Sequence, residues 1–468
     1  MRPAYEAVVW LFAVYFGVYL VGTTVMVLVA AAATRRQRHR TLHSTFGLTM
    51  RAELVPRITV CIPAYNESAV VVDTVRSVLA LDYPHLEVVL ANDGSTDATF
   101  EVLRSEFDLQ PSARTPLGEL PHSPVHAVYE PRAPVPLVVL DKENGGRSDA
   151  LNAAITYAHG PVITVMDADE VVASDTLARA VKPFLVDPMT TVAAGANLGI
   201  ANGCRIVRGR MIERDRPRRL LTLFQAIEYD RSFRIARVGA GAVRSIPIIS
   251  GGFGLFRRDI LVAAGGYDSD TLGEDFDVTL KLHRFMHDQQ LPYTIAHVGT
   301  VLCWTIVPES TRVLGRQRRR WHRGLRQVLM KHRSVLFRPR YGFLGMAAIP
   351  WAWAYELIAP LILVLAALTT AVGFALGFLS WQAILLGMFV TWALATAPTL
   401  AALLMTEWPG GSSTGWRNLS IIVGTAFIDV AYQCLTLVYR LESLVARRKL
   451  AWGEMERSLP ADRGSEEV

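Results

Sequence analysis

The chain has 468 residues, room for two or three domains at roughly 100–200 residues each, carries a formal charge of +6, and is 51% hydrophobic. The apolar excess is gathered at the two ends. The basic surplus lies in clusters (Arg35–Arg40, Arg205–Arg219, Arg312–Arg340, Arg447–Lys449) that mostly flank or approach apolar stretches, which points to a bilayer and away from nucleic acid. Its cysteines, Cys61, Cys204, Cys303 and Cys434, lie far apart and form no C-x-x-C, so neither a zinc site nor a disulfide framework is indicated and a reducing compartment is expected.

Val8 to Ala33 is a continuous apolar run of about 26 residues, longer than the ~20 that a spanning helix needs. Basic residues follow it directly, the reverse of a cleaved signal peptide. It reads as a retained anchor, N-terminus outside, with the next domain in the cytoplasm. Ile58–Ile62 then predicts a strand ending in Pro63-Ala64-Tyr65-Asn66-Glu67, followed by a helix over 69–81. A second strand, Leu86–Ala91, ends in Asn92-Asp93-Gly94-Ser95-Thr96-Asp97, and a helix over 98–107 follows. This alternation implies an α/β, doubly wound parallel sheet, in which ligands bind outside the carboxyl ends of the strands. The Pro-rich stretch 110–136 reads as a long surface loop. Val138–Leu140 predicts a third strand leading into Lys142 and Asn144-Gly145-Gly146-Arg147. The glycines there permit close backbone approach, and Lys142 and Arg147 suit an anion such as a diphosphate.

The apolar run Val162–Met166 ends in Asp167-Ala168-Asp169-Glu170. Two carboxylates at a strand end suit a hard divalent cation, Mg²⁺ or Mn²⁺, and the same pattern also serves as a loop capping the next helix. Arg216–Arg237 is basic and amphipathic, fit to lie on the membrane surface or against the domain. Gly273-Glu274-Asp275 opens a helix running to about His287, where acidic groups also complement the helix dipole. Thr311–Lys331 is again basic and amphipathic and contains Gln317-Arg318-Arg319-Arg320-Trp321. His283, His287 and His322 read as helix-surface histidines, and no Ser-His-Asp or Cys-His arrangement is evident. Apolar segments recur near Ile349–Ala371, Trp381–Met405 and Leu419–Tyr439. Three full crossings would leave the basic tail outside. Ile349–Ala371, disturbed by Pro350, Glu356 and Pro360, is therefore expected to be re-entrant or interfacial.

From about Arg57 to Lys331 these motifs, in this order, strongly resemble the membrane-embedded family 2 glycosyltransferases, which include the cellulose, chitin, hyaluronan and poly-N-acetylglucosamine synthases. The tail Trp452–Arg457 adds a likeness to the bacterial poly-β-1,6-N-acetylglucosamine type. The resemblance implies an anchor at 1–34, a basic linker at 35–56 and a cytoplasmic GT-A domain (doubly wound, Rossmann-like) at 57–300. An interface-helix region with Gln-x-x-Arg-Trp at 301–343, membrane segments at 344–441 and a cytoplasmic tail at 442–468 complete the expected division. It further implies that Pro63, Ala64, Tyr65, Glu67 and Asp93 hold the nucleotide of a UDP-sugar and that Lys142 approaches the nucleotide or diphosphate. Asp167 and Asp169 would hold the cation that bridges the diphosphate, and Asp275 would be the general base. Gln317, Arg320 and Trp321 would close over the diphosphate and acceptor, with Gly251, Gly252, Phe253 and Glu274 at the acceptor end.

The implied activity is inverting, processive extension of a polysaccharide from UDP-N-acetylglucosamine at the inner face of the cell membrane, an expectation that extends to export and to an export partner subunit. Two alternatives stay open: a glycolipid synthase that transfers one sugar to a membrane lipid, and a non-catalytic scaffold of a secretion complex.

Overall fold

The computed structural model describes residues 2–42, 55–168, 170–207, 210–213, 215, 217–405 and 415–445. Helix α1 (Arg2–Leu42) is followed by β1 (Ile58–Ala64), α2 (Val71–Leu79), β2 (Leu86–Asp93) and α3 (Thr99–Phe107). Next come β3 (Leu109–Pro111), β4 (Val125–Pro131), β5 (Leu137–Lys142), α4 (Arg147–Tyr157) and β6 (Val162–Met166). Strands β7 (Val171–Val172), β8 (Thr191–Ile200), β9 (Arg205–Val207) and β10 (Arg210–Glu213) precede helix α5 (Leu220–Asp230). Strand β11 (Phe253–Arg257), helix α6 (Glu274–Asp288), strand β12 (Thr294–Thr305) and helix α7 (Thr311–Lys331) complete the α/β part.

All the described strands join one sheet, in the order β3-β4-β5-β2-β1-β6-β11-β8-β12-β7-β10-β9. Its centre, β5-β2-β1-β6, is parallel as expected. The sheet as a whole is mixed, because β11 runs antiparallel between β6 and β8. Strand β1 is buried along its whole length. Val60 and Ile62 pack with Val71, Val75 and Val78 on one face, and Cys61 packs with Leu151 and Ile155 on the other. Two covered faces explain why these strands are uninterrupted apolar runs. The stretch read as a loop over 110–136 contains β3 and β4, which extend the sheet antiparallel from β5. Pro111 and Pro131 cannot donate to a ladder, which fits strands at the margin of a sheet and disguises them in the sequence.

The register sets the functional edge. Ala64 lies opposite Asn92, Asn92 opposite Asp141, and Asp93 opposite Lys142. Because β11 is antiparallel, its first residue, Phe253, lies opposite Met166, the last residue of β6. Gly251 and Gly252 therefore sit at the same sheet edge as Asp167.

Among the described residues, two helices are long and apolar enough to cross a membrane: Arg2–Gln37 within α1, and Trp381–Ala402. The apolar stretch expected to be irregular is a helix pair, Leu344–Leu357 and α8 (Ala359–Ala375), bent by 52°. Pro360 in the first turn of α8 has no N–H to continue the preceding helix. Glu356 lines an internal cavity, where an ionisable group at membrane depth is tolerated. Helices α9 (Trp381–Met405) and α10 (Gly415–Val445) follow. The tail motif Trp452–Arg457 lies outside the described residues.

The segment read as one basic amphipathic helix, Arg216–Arg237, is α5 followed by a π-helix, Arg231–Arg237. Phe224, Ile227, Phe233 and Ile235 are buried, so its apolar face packs inside the protein.

Candidate active site

The turn after β1 is stitched to the loop after β2. Asn66 takes a left-handed conformation (φ 57°), which asparagine tolerates better than most residues. Its Oδ1 accepts from the Thr96 amide at 2.8 Å, and its own amide donates to Ser95 Oγ at 3.0 Å. The Glu67 amide donates to Thr99 Oγ1 at 2.8 Å. Pro63, Ala64, Tyr65 and Glu67 are thus fixed beside Asp93 by hydrogen bonds between two strand-end loops.

Asp93 is 3% exposed and organises the third loop. Its carboxylate accepts from the Gly145 amide at 3.0 Å, the Gly146 amide at 2.8 Å and Lys142 Nζ at 2.6 Å. The Lys142 side chain is fully buried and pairs a second time, with Asp149 at 2.6 Å. The structure thus holds Lys142 and Asp93 against each other inside the protein, and neither lines the main cavity.

Arg147 is the junction of the site. Its Nε donates to Asp167 Oδ1 at 2.8 Å, one terminal nitrogen to Glu274 Oε1 at 2.8 Å, and the other to the Gly251 carbonyl at 2.7 Å. One guanidinium therefore joins the carboxylate after β6, the acidic start of α6 and the loop before β11. Burial works against its charge, but the Asp167 and Glu274 carboxylates outweigh this and hold it above the ordinary arginine value. Burial pushes the Glu274 carboxyl up; Arg147 opposes that shift and neighbouring Asp275 adds to it. Asp275 Oδ2 accepts from the Gly251 amide at 3.2 Å, and Oδ1 from the Phe276 amide at 2.8 Å. Sequence reading placed Arg147 near an anion but missed this bridging role, because its partners are 20, 104 and 127 residues away.

A cavity of about 2180 Å³ gathers most of the remaining candidates. Asp167, Gly251, Gly252, Glu274 and Asp275 line one side of it. Gln317, Arg320 and Trp321 of α7 line it as well. Phe253 begins β11, is 1% exposed, and serves the core. The cavity continues to Tyr19 and Met26 of α1 and to Trp351 and Tyr355 of the bent pair. Arg318, not singled out in the sequence, also borders the cavity but is engaged within the protein. It pairs with Glu228 at 2.6 Å, donates to Tyr432 Oη at 3.1 Å, and lies 4.6 Å over the Trp321 ring. It fastens α7 between α5 and α10.

Of the histidines expected on helix surfaces, His287 is partly exposed, whereas His283 and His322 are buried. His283 is 1% exposed, bonded to Tyr293 Oη at 2.6 Å and to the Ile246 carbonyl at 2.8 Å, and burial pushes it down to about 4. His322 is 5% exposed and bonded to Ser443 Oγ at 2.6 Å; burial first, then Arg440, pushes it down to about 4. Both helices are covered on the side that the sequence pattern assigned to solvent.

One carboxylate at the cavity wall fits the expected cation. Asp167 lines the cavity, its side chain is 23% exposed, and among the described residues Arg147 engages only its Oδ1. A carboxylate so placed fits a hard cation. Asp169 lies outside the described residues. A second acidic group, Asp268, Asp270 and Asp277, is already compensated: Lys331 Nζ lies 2.6, 2.8 and 3.1 Å from these carboxylates.

Comparison with known proteins agrees with the geometry. The family described as "Glycosyl transferase family group 2" matches residues 162–405, more than half of the chain, and "Glycosyl transferase family 2" matches residues 59–115. A poly-beta-1,6-N-acetyl-D-glucosamine synthase of Staphylococcus epidermidis is 30% identical over 278 residues, 59% of this chain and 56% of that protein. The synthase of Staphylococcus aureus (strain COL) is 29% identical over 275 residues, 58% of this chain and 56% of that protein. The chain thus spans about half the length of the curated relatives it matches. Among solved structures, a mannosyltransferase from Pyrobaculum calidifontis in complex with GDP-Man and Mn2+ aligns with a TM-score of 0.47 and 23% identity, covering 87% of this chain and 99% of that one. With motifs, mixed α/β sheet and family match in agreement, the chain belongs to the group 2 glycosyltransferases and is an enzyme of glycosyl transfer.

Proposed function

We propose that the chain is an inverting β-glycosyltransferase that extends a polysaccharide processively from a UDP-sugar, best matched by UDP-N-acetylglucosamine, at the cytoplasmic face of the cell membrane. The observation that carries this reading is the single cavity in which Asp167, Asp275 and the Gln317–Trp321 segment meet and which continues between apolar helices.

Inversion needs a carboxylate to take the proton of an acceptor hydroxyl as that oxygen attacks the anomeric carbon. Asp275 fits that role: two backbone amides orient its carboxylate at the cavity wall. Asp167 and Asp169 would hold Mg²⁺ or Mn²⁺, which neutralises charge developing on the departing diphosphate. Arg147 keeps Asp167 and the Glu274–Asp275 turn in fixed relation, so the leaving group and the attacking hydroxyl are positioned by one frame. Arg320 and Gln317 face the same space and supply donors to the diphosphate. The 30% identity to a polysaccharide synthase supports the polymer reading. The continuation of the cavity along α1 and the bent pair supports the second reading, transfer of one sugar to a membrane lipid. Export and a partner subunit belong to the polymer reading.

Purified protein in nanodiscs, given UDP-N-acetylglucosamine and Mn²⁺, is expected to release UDP, and mass analysis of the product to show a ladder of sugar units. A single added sugar would replace the polymer reading with the glycolipid one. Turnover with a different UDP-sugar only would correct the donor.

A further inference from the structure

Helix α7 has two working faces. Gln317, Arg320 and Trp321 line the cavity. Thr311, Gly315, Arg318 and His322 recur at helical spacing on the neighbouring face and meet α10. The Thr311 carbonyl accepts from Tyr439 Oη at 3.0 Å, and His322 Nδ1 lies 2.6 Å from Ser443 Oγ. A Cβ on Gly315 would stand 2.8 Å from the Tyr439 ring, so the two helices touch there. Arg318 stands where the two faces meet, bordering the cavity and bonded to α10.

The Arg318 guanidinium is held in a closed ring of hydrogen bonds. Its Nη1 donates to Glu228 Oε1 at 2.6 Å and its Nη2 to Tyr432 Oη at 3.1 Å. The Tyr432 hydroxyl donates in turn to Glu228 Oε2 at 2.7 Å. Burial works against both charges, but Arg318 holds the Glu228 carboxyl below the usual carboxylate range, and Glu228 holds Arg318 above the ordinary arginine value. The direction of the Tyr432 hydroxyl is set by packing, because its ring stacks on Phe224 of α5 with centroids 5.4 Å apart. Helix α10 is also anchored away from α7: Arg231 Nη1 lies 3.5 Å from Asp429 Oδ2 and donates to Thr399 Oγ1 of α9 at 3.2 Å. The guanidinium so fixed lies 4.6 Å from the centroid of the Trp321 ring. Among the described residues no other cation or aromatic ring stacks on Trp321, which is 39% exposed at the cavity wall.

Helix α10 begins at Gly415, past the family-matched residues 162–405. We propose that Arg318 is a positioning residue for sugar transfer and that α10 acts through it: the Tyr432 hydroxyl holds the guanidinium over Trp321, and the ring so oriented forms the platform for the acceptor sugar. The C–H face of a sugar ring packs on an aromatic face only when that face is correctly turned, so orientation of the ring is orientation of the attacking hydroxyl. This rests on the transferase reading and deepens it by naming what orients the acceptor end.

The test uses the full chain in phosphatidylcholine nanodiscs with UDP-N-acetylglucosamine, Mn²⁺ and a short N-acetylglucosamine oligosaccharide as acceptor. Tyr432→Phe deletes the hydroxyl that touches both Arg318 and Glu228 and keeps the stack on Phe224. It is expected to lower turnover about tenfold with the donor KM within about twofold. Arg318→Lys keeps a cation for Glu228 without the paired hydrogen bonds and should lose about as much. The double variant should be no slower than Arg318→Lys alone, because Tyr432 acts through Arg318. Losses that multiply in the double variant overturn the proposal. So does a raised donor KM with turnover unchanged, which assigns the ring of hydrogen bonds to the donor. So does a lowered melting temperature with both constants unchanged, which reduces it to packing. Orientation is read directly in protein labelled with 5-fluorotryptophan, where the Trp321 fluorine resonance is assigned by its loss in Trp321→Phe. That resonance should shift or split in Tyr432→Phe, and an unmoved resonance refutes the proposal. The readout needs no turnover, so it separates failure of the proposal from failure of the donor or acceptor assignment.

Discussion

At and behind the strand ends the described charges come in pairs. Asp93 holds Lys142 and two backbone amides, and Arg147 spends its three nitrogens on Asp167, Glu274 and Gly251. Farther along the cavity, Arg237 Nη1 and, on α7, Gln317 Oε1 are buried without hydrogen-bond partners among the described residues. The charges of the first region are paired inside the protein, and Asn92 Oδ1 is its buried oxygen left over; in the second region a guanidinium nitrogen and an amide oxygen are left over. A donor that always carries the same nucleotide suits a preformed cradle. An acceptor that must arrive, react and move on suits a wall whose contacts are completed only when it is present.

The comparison breaks most severely at the group standing between the walls. Asp275→Asn keeps the side chain's shape but removes the carboxylate proposed as the base. Turnover is expected to fall by about 10²–10⁴-fold with donor affinity unchanged, read as UDP release against equilibrium binding of the UDP-sugar. A variant with wild-type rate would remove Asp275 from the mechanism.

The paired region is sharpened by Lys142→Ala. The substitution strands Asp93 and Asp149 beside each other without their buried cation. Removing one partner from a buried ion pair costs about 3–5 kcal/mol, so thermal unfolding of the α/β part should move down by many degrees. An unchanged melting temperature with a raised donor KM would show instead that Lys142 leaves Asp93 to meet the nucleotide.

How far the sequence discloses this arrangement follows from range. The strands β1, β2, β5 and β6 are legible because both faces are buried and each ends in a polar cluster that cannot continue a core strand. Strand β8, Thr-Val-Ala-Ala-Gly-Ala-Asn-Leu-Gly-Ile, carries few β-branched residues and no alternation, so nothing local marks it. Without β8 and β11 the meeting of Gly251 with Arg147 and Asp275 is invisible, since it is made by an antiparallel register and not by spacing. Asp275 and Gln317–Trp321 were legible as motifs, whereas Arg237 was one arginine in a basic run. Its distinction depends on the π-turn and on the Phe233 ring it lies over, and neither is a local pattern.

The smallest effect tests how the walls are joined. Helix α7 lies against the turn before Asp275 at Gly324. A Cβ there would stand 2.9 Å from the Gly273 amide nitrogen and 2.9 Å from the Leu272 carbonyl carbon, backbone that cannot step aside. The contact is reinforced by the Leu272 amide, which donates to Gln327 Oε1 at 2.9 Å. Farther along, His332 Nε2 lies 2.7 Å from Asp277 Oδ1 and Lys331 lies 3.1 Å from Oδ2, which clamps the end of α7 to α6. Gly324→Ala should therefore tilt α7 about that clamp and move Gln317 and Trp321 relative to Asp275. Overpacking of this kind costs about 1–3 kcal/mol of stability. Because the displaced groups face both substrates, sugar transfer should fall about tenfold relative to hydrolysis of the UDP-sugar by water, which needs no acceptor. Both rates falling together would mean that α7 serves the donor alone. A loss of stability with an unchanged ratio would reduce the Gly324 contact to packing.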